Sequence, residues 1–162
     1  MGKNIFKALS ITALTVFVIL PIAIVLFFAT ILLLCDIGYE AREKTLYSDL
    51  SNFETVTEEF VSIDGNGPDY TLHVRIISDE DYYGKDEYFH INVSNYAALE
   101  EAGYKDKLVE GMPVTFTTCT RIIGDGYHEF PVIYLEADGE VLLDTETGHK
   151  NLMNAYWWIF WR

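Results

Sequence analysis

Residues 8–34 carry no charged side chain, and this unbroken apolar run limits the fold of the chain more than any other feature of its sequence. Wound as an α-helix at about 1.5 Å per residue, the run would measure roughly 40 Å. That exceeds the ~30 Å hydrocarbon core of a bilayer and leaves room for tilt or a bend. The run therefore predicts a transmembrane helix over residues 8–35. Pro21 lies near its middle, where the missing N–H and the ring clash predict a kink of the kind bilayer helices tolerate. A cleaved secretory signal would show a shorter apolar region of ~7–15 residues followed by small residues. A lipoprotein would need a small residue before Cys35, where the sequence has Leu34, and a pilin-like start would need an early glutamate, which the stretch after Gly2 lacks. A permanent anchor is the expectation.

Lys3 and Lys7 precede the run without an acidic neighbour, whereas Asp36, Glu40 and Glu43 mix with Arg42 and Lys44 after it. Cytoplasmic flanks hold the excess of basic residues, so residues 1–7 are expected in the cytoplasm and residues 36–162 on the extracytoplasmic side of the plasma membrane. The chain has 11 basic and 25 acidic residues; with Lys3 and Lys7 set aside, nine basic residues face twenty-five acidic ones, a balance of −16 for the exposed part. Such a surface repels phosphate backbones, which argues against nucleic acid as a partner, and solubility is sufficient reason for the acidity. The two cysteines, Cys35 at the membrane edge and Cys119 in a predicted strand, form neither a CxxC motif nor a disulfide framework. About 110 residues beyond the juxtamembrane stretch suffice for one modest core.

Residues 36–54 read as a helical juxtamembrane stalk, with Leu46, Leu50 and Phe53 at helical spacing and Glu40 and Lys44 four apart. From residue 55 the period changes. Val56 to Ile63 reads as a strand, and residues 64–69 are dense in turn formers. Tyr70, Leu72, Val74 and Ile76 alternate with Thr71, His73 and Arg75, while Phe89, Ile91 and Val93 alternate with Tyr88, His90 and Asn92. With both apolar sets inward, His73 is expected opposite His90 and Arg75 opposite Tyr88. A short helix follows, capped by Ser94 or Asn95 and ended by Gly103. Strands are then predicted over Val114 to Ile123, Phe130 to Glu136 and Val141 to Asp144, the last two joined by Asp138-Gly139, a strong hairpin signal.

The fold class is thus α+β, mainly β. Five to six antiparallel strands, with one helix between the third and fourth, resemble in element order an OB-like small Greek-key β-barrel over residues 55–147. The resemblance is one of order alone and carries no residue motif. Residues 148–162 form a C-terminal segment in which Met153, Tyr156, Trp157, Phe160 and Trp161 follow helical spacing, with Trp158 and Ile159 beside them. Such an aromatic helix would cap the open end of the barrel, lie on the nearby membrane interface or dock on a partner. Tyr156, Trp157, Trp158, Phe160 and Trp161 are therefore the membrane-interface or partner candidates.

Chemistry-bearing motifs are scarce. Asp64, Asn66 and Asp69 fail the spacing of a calcium-binding EF-hand loop, which would place glycine and glutamate where Asp69 and Arg75 stand. The acidic loop of residues 78–87 supplies the metal candidates Asp79, Asp81 and Asp86 for weak divalent-cation binding. His73, His90, His128 and His149 form no HxxxH or HExxH motif, and a His73/His90 pair would still need further zinc ligands. Cys119 lies in a threonine-rich strand without a glycine elbow or helix start to activate it. No local signature marks a Ser-His-Asp site, and paired carboxylates discriminate nothing in so acidic a chain.

The expectation is a non-enzymatic, single-pass membrane protein without a cofactor. Its extracytoplasmic OB-like domain would mediate protein or ligand interaction at the cell envelope, through a strand face holding Thr71, His73, Arg75, Tyr88 and His90. The alternative is an accessory or sensory subunit whose acidic loop binds a divalent cation.

Overall fold

The computed structural model describes residues 15–66, 69–120 and 130–156. The chain divides into two compact units, residues 1–40 and residues 41–162. In the first, a π-helical turn, Thr15–Ile19, leads into helix α1, Leu20–Ser48, whose last turns belong to the second unit. Pro21, which has no amide hydrogen to donate, stands two residues after that wide turn. The large apolar side chains from Val16 to Leu34 are exposed, and the helix is long and apolar enough to cross a membrane. The Thr30 hydroxyl donates to the Leu26 carbonyl at 2.8 Å, a bond that leaves no free O–H for lipid to face. Residues 8–14 and the flanking Lys3 and Lys7 lie outside the described residues.

The second unit corrects the helical reading of residues 49–54. Helix α1 stops at Ser48, and Asp49 accepts from the Ser51 amide at 2.9 Å to start a 3₁₀ turn, Leu50–Asn52. Asn52 Nδ2 then donates to the Leu46 carbonyl at 2.8 Å, tying off the helix end, and Phe53 opens a strand instead of continuing a helical stripe.

Strands β1 (Phe53–Asn66), β2 (Asp69–Arg75), β3 (Asp86–Asn92), β4 (Pro113–Cys119), β5 (Val132–Ala137) and β6 (Glu140–Leu143) form one antiparallel sheet in the order β3-β2-β1-β4-β5-β6. The sheet is not closed into the expected barrel; β3 and β6 are its edges. A single isolated parallel bridge joins His90 to Pro131, with the His90 amide donating to the Phe130 carbonyl at 2.9 Å. Between β3 and β4 lie α2 (Val93–Glu101) and α3 (Tyr104–Lys107), and α4 (Thr145–Ala155) follows β6.

Alternation assigns the faces. Leu72, Val74, Phe89, Ile91, Val114, Phe116 and Leu135 bury on one side of the sheet with Leu99 of α2 and Tyr104 of α3. Full burial of such side chains contributes roughly 1.5–3 kcal/mol each. A bulge between Phe60 and Ser62 re-phases β1, so that Phe60 and Ile63 both reach this core. At one end the opposite face is also covered: Cys119 and Ile133 bury against Tyr47 of α1 and Leu152 of α4.

Two local expectations are corrected. The β2–β3 register is two residues away from the one read in the sequence, with His73 facing Tyr88, Thr71 facing His90 and Arg75 facing Asp86. A two-residue slip preserves the faces and exchanges the partners. Its cause is the loop, where the Ile76 amide donates to the Lys85 carbonyl at 2.9 Å and the Gly84 amide to the Ile76 carbonyl at 2.8 Å, so pairing continues past the strand ends. The cap of α2 is Asn92, which accepts from the Asn95 amide at 2.9 Å and draws Val93 out of the strand into the helix. The Asp138-Gly139 turn is as expected: φ values of 50° and 77° are those a tight hairpin of this hand requires.

Candidate functional site

Five side chains were expected to share an exposed strand face; the sheet places them on one face in three cross-strand rows, with Tyr88 exposed and Thr71, His73, Arg75 and His90 half-buried. Glu59, Arg75 and Asp86 form the first, Ser62, His73 and Tyr88 the second, Asp64, Thr71 and His90 the third. Arg75 Nη1 donates to Glu59 Oε1 at 2.6 Å and its Nε lies 3.7 Å from Asp86 Oδ1. The guanidinium is therefore held between two carboxylates of this chain. The His73 ring stacks on Tyr88 with centroids 4.4 Å apart and planes 17° from parallel, and its Nε2 stands 3.6 Å from Asp86 Oδ2. Tyr88, at 57 % exposure, is the large hydrophobic side chain this face offers to solvent.

The metal candidates are not gathered. Asp86 lies 3.7 Å from Arg75 Nε and 3.6 Å from His73 Nε2, and Asp79 Oδ1 accepts the Asp81 amide at 2.9 Å within its own turn. Among the described residues no group of three or more His, Cys, Asp or Glu is placed to hold a metal ion. Of the aromatic candidates, Tyr156 packs 6.0 Å from Tyr47 and its hydroxyl donates to Glu43 Oε2 at 3.1 Å. Trp157, Trp158, Phe160 and Trp161, like His128, lie outside the described residues.

A second arrangement, on the core side of the sheet, was missed in the sequence. A cavity of about 190 Å³ opens beneath the β2–β3 loop, walled by Val56, Ile76 and Phe89 and by the polar side chains Glu58, Glu87 and Thr118. Alternation puts all three polar groups inward: Glu58 is in phase with Val56 and Phe60, Glu87 with Phe89 and Ile91, Thr118 with Val114 and Phe116. Glu58 is 2 % exposed. Its Oε2 accepts the Ile77 amide at 2.6 Å and the Ser78 amide at 3.1 Å, and its Oε1 accepts the Ser78 hydroxyl. Thr118 is 0 % exposed and its Oγ1 has no hydrogen-bond partner among the described residues. The available signal was polar residues at core-phase positions, hidden by an overall acidity that makes each carboxylate look solvated.

Glu58 also shapes the cavity's roof. By binding two successive amides it bends the chain as β2 ends, and the loop folds back with the Tyr82 amide donating to the Asp79 carbonyl at 3.2 Å. Lys85 Nζ stands 4.3 Å over the Tyr82 ring. Compared with protein-family models, curated proteins and solved structures, the chain has no match.

Proposed function

We propose that the chain is a single-pass protein of the plasma membrane, with its N-terminus in the cytoplasm, whose extracytoplasmic sheet domain is a non-catalytic binding module of the cell envelope. The observation that carries this reading is a span-length helix with its large apolar side chains exposed, followed by one small sheet domain with a polar-lined cavity. An OB-like arrangement of the domain is supported by the order β3-β2-β1-β4-β5, the helices between β3 and β4, and the His90 to Pro131 bridge between the first edge and the segment leading into β5. Protein or ligand contact would then use the Thr71, His73, Arg75, Tyr88 and His90 face or the cavity on the other side of the sheet.

Proximity labelling of the full chain in native membranes tests the reading. A reproducible set of envelope neighbours is expected, together with protease sensitivity of the sheet domain from outside the cell. No reproducible neighbour, or a domain digested only after the cytoplasm is opened, would overturn it. The sensory alternative is tested by a thermal shift with millimolar Ca²⁺, and a shift abolished by D79N and D81N would favour it over a simple binding module.

A further inference from the structure

We propose that the cavity beneath the β2–β3 loop binds a small organic ammonium ion. The inference rests on reading the sheet domain as a binding module and names the ligand class of that module.

The charge on the walls sets the sign of the ligand. Glu58 and Glu87 both line the cavity, as does Asp79, and among the described residues no lysine or arginine does. Burying a carboxylate without a counter-charge is unfavourable, and Glu58 has no ion pair among the described residues. A carboxylate has about four lone-pair positions; three of those on Glu58 are filled by Ile77 and Ser78, which leaves one on Oε1. The Glu87 carboxylate has no hydrogen bond or ion pair among the described residues. The nearby Lys85 is not a lining residue, and its Nζ sits over Tyr82 and donates to the Asp81 carbonyl at 3.4 Å.

The hydroxyl of Thr118 supplies the second, independent sign of a ligand. In phase with Val114 and Phe116, it faces the side of the sheet that carries the cavity, fully buried and without a partner among the described residues. An unpartnered buried hydroxyl is unfavourable by itself, and an N–H of an ammonium group would satisfy it as acceptor. A bare metal ion fits less well, because no group of three or more such ligands is gathered among the described residues. The remaining apolar walls, Val56, Ile76 and Phe89, suit a short hydrocarbon stem. The volume of about 190 Å³ is below the ~300–1,000 Å³ typical of drug-sized ligands, which selects a short-chain amine.

The test uses the full chain in lipid nanodiscs, titrated with n-butylammonium chloride and, in parallel, with sodium butyrate and n-butanol. Saturable changes at the Ile77 and Ser78 amide signals are expected with butylammonium and neither control. E87Q and T118V are each expected to weaken binding about tenfold, the equivalent of one charge-assisted hydrogen bond. Both are close in shape to the native residue, and T118V should keep or raise the melting temperature because it removes a hydroxyl without a partner. No saturable change, an equal response to butanol, or unchanged affinity in both variants would overturn the assignment. Failure here alongside reproducible envelope neighbours removes the ligand class alone; butylammonium binding without such neighbours upholds the ligand and overturns the envelope reading.

Discussion

A Cβ on Gly148 would lie 2.0 Å from the carbonyl oxygen of Ile133, so helix α4 reaches strand β5 only because this position has no side chain. The Gly148 carbonyl is in turn held by Asn95 Nδ2 at 3.2 Å, which also donates to the Val132 carbonyl at 3.0 Å. Gly148→Ala is expected to lower stability by about 1–3 kcal/mol through overpacking, read as a reduced urea midpoint; an unchanged midpoint would contradict the close approach. Asp144 at the start of the same helix accepts from the Thr147 amide at 2.9 Å, and that bond holds its carboxyl below the usual carboxylate range. A lowered folded-state pKa stabilises above the unfolded value near 3.9 and loses that contribution as pH falls through the folded value. Asp144→Ala should therefore cost about 0.5–2 kcal/mol at pH 6 and progressively less below about pH 4, in urea unfolding at the two pH values. The glycine's role is invisible in the sequence, since nothing local to residues 145–155 announces what lies opposite. Asp138-Gly139 was legible because its constraint is local.

Between neighbouring elements, faces were easier to read than partners. The period-2 pattern of β2 and β3 correctly sorted Leu72 and Phe89 from His73 and Tyr88. The register depended on backbone pairing of Ile76 with Lys85 and Gly84, which side-chain identity does not encode. The end of α1 illustrates the opposite limit: Leu46, Leu50 and Phe53 keep helical spacing, yet Asp49 and Asn52 provide a stop whose polar bonds outweigh the continued stripe. The cluster uniting Tyr47, Cys119, Ile133 and Leu152 could not be anticipated, because it joins residues far apart in sequence. Leu152→Ala is expected to cost about 2–5 kcal/mol and to free Cys119, which is 1 % exposed, for maleimide labelling under native conditions. Lost stability with Cys119 still protected would mean that α4 is not its cover.

For the whole molecule, the apolar run and the α+β sheet were the legible features, and the cavity was not. Long uniform stretches declare themselves through composition, whereas a cavity is assembled from single residues on β1, β3 and β4 that only the topology brings together. The run makes a direct prediction: the intact chain should stay with membranes in an alkaline carbonate wash, and deletion of residues 8–34 should release it. The acidic excess spread over the exposed part made Glu58 and Glu87 look ordinary; their in-phase placement sets them apart.

The grip of Glu58 on Ile77 and Ser78 also divides the β2–β3 loop in time. These two amides are attached to a buried carboxylate on β1, so their protons should exchange with deuterium as slowly as those of the sheet, and only when β1 itself opens. The exposed tip from Glu80 to Tyr83 has no such attachment to the sheet and should exchange orders of magnitude faster. A E58Q chain, with a weaker acceptor, would bring the two rates together. Slow exchange at the root and fast exchange at the tip would make this a division of timescales set by one side chain.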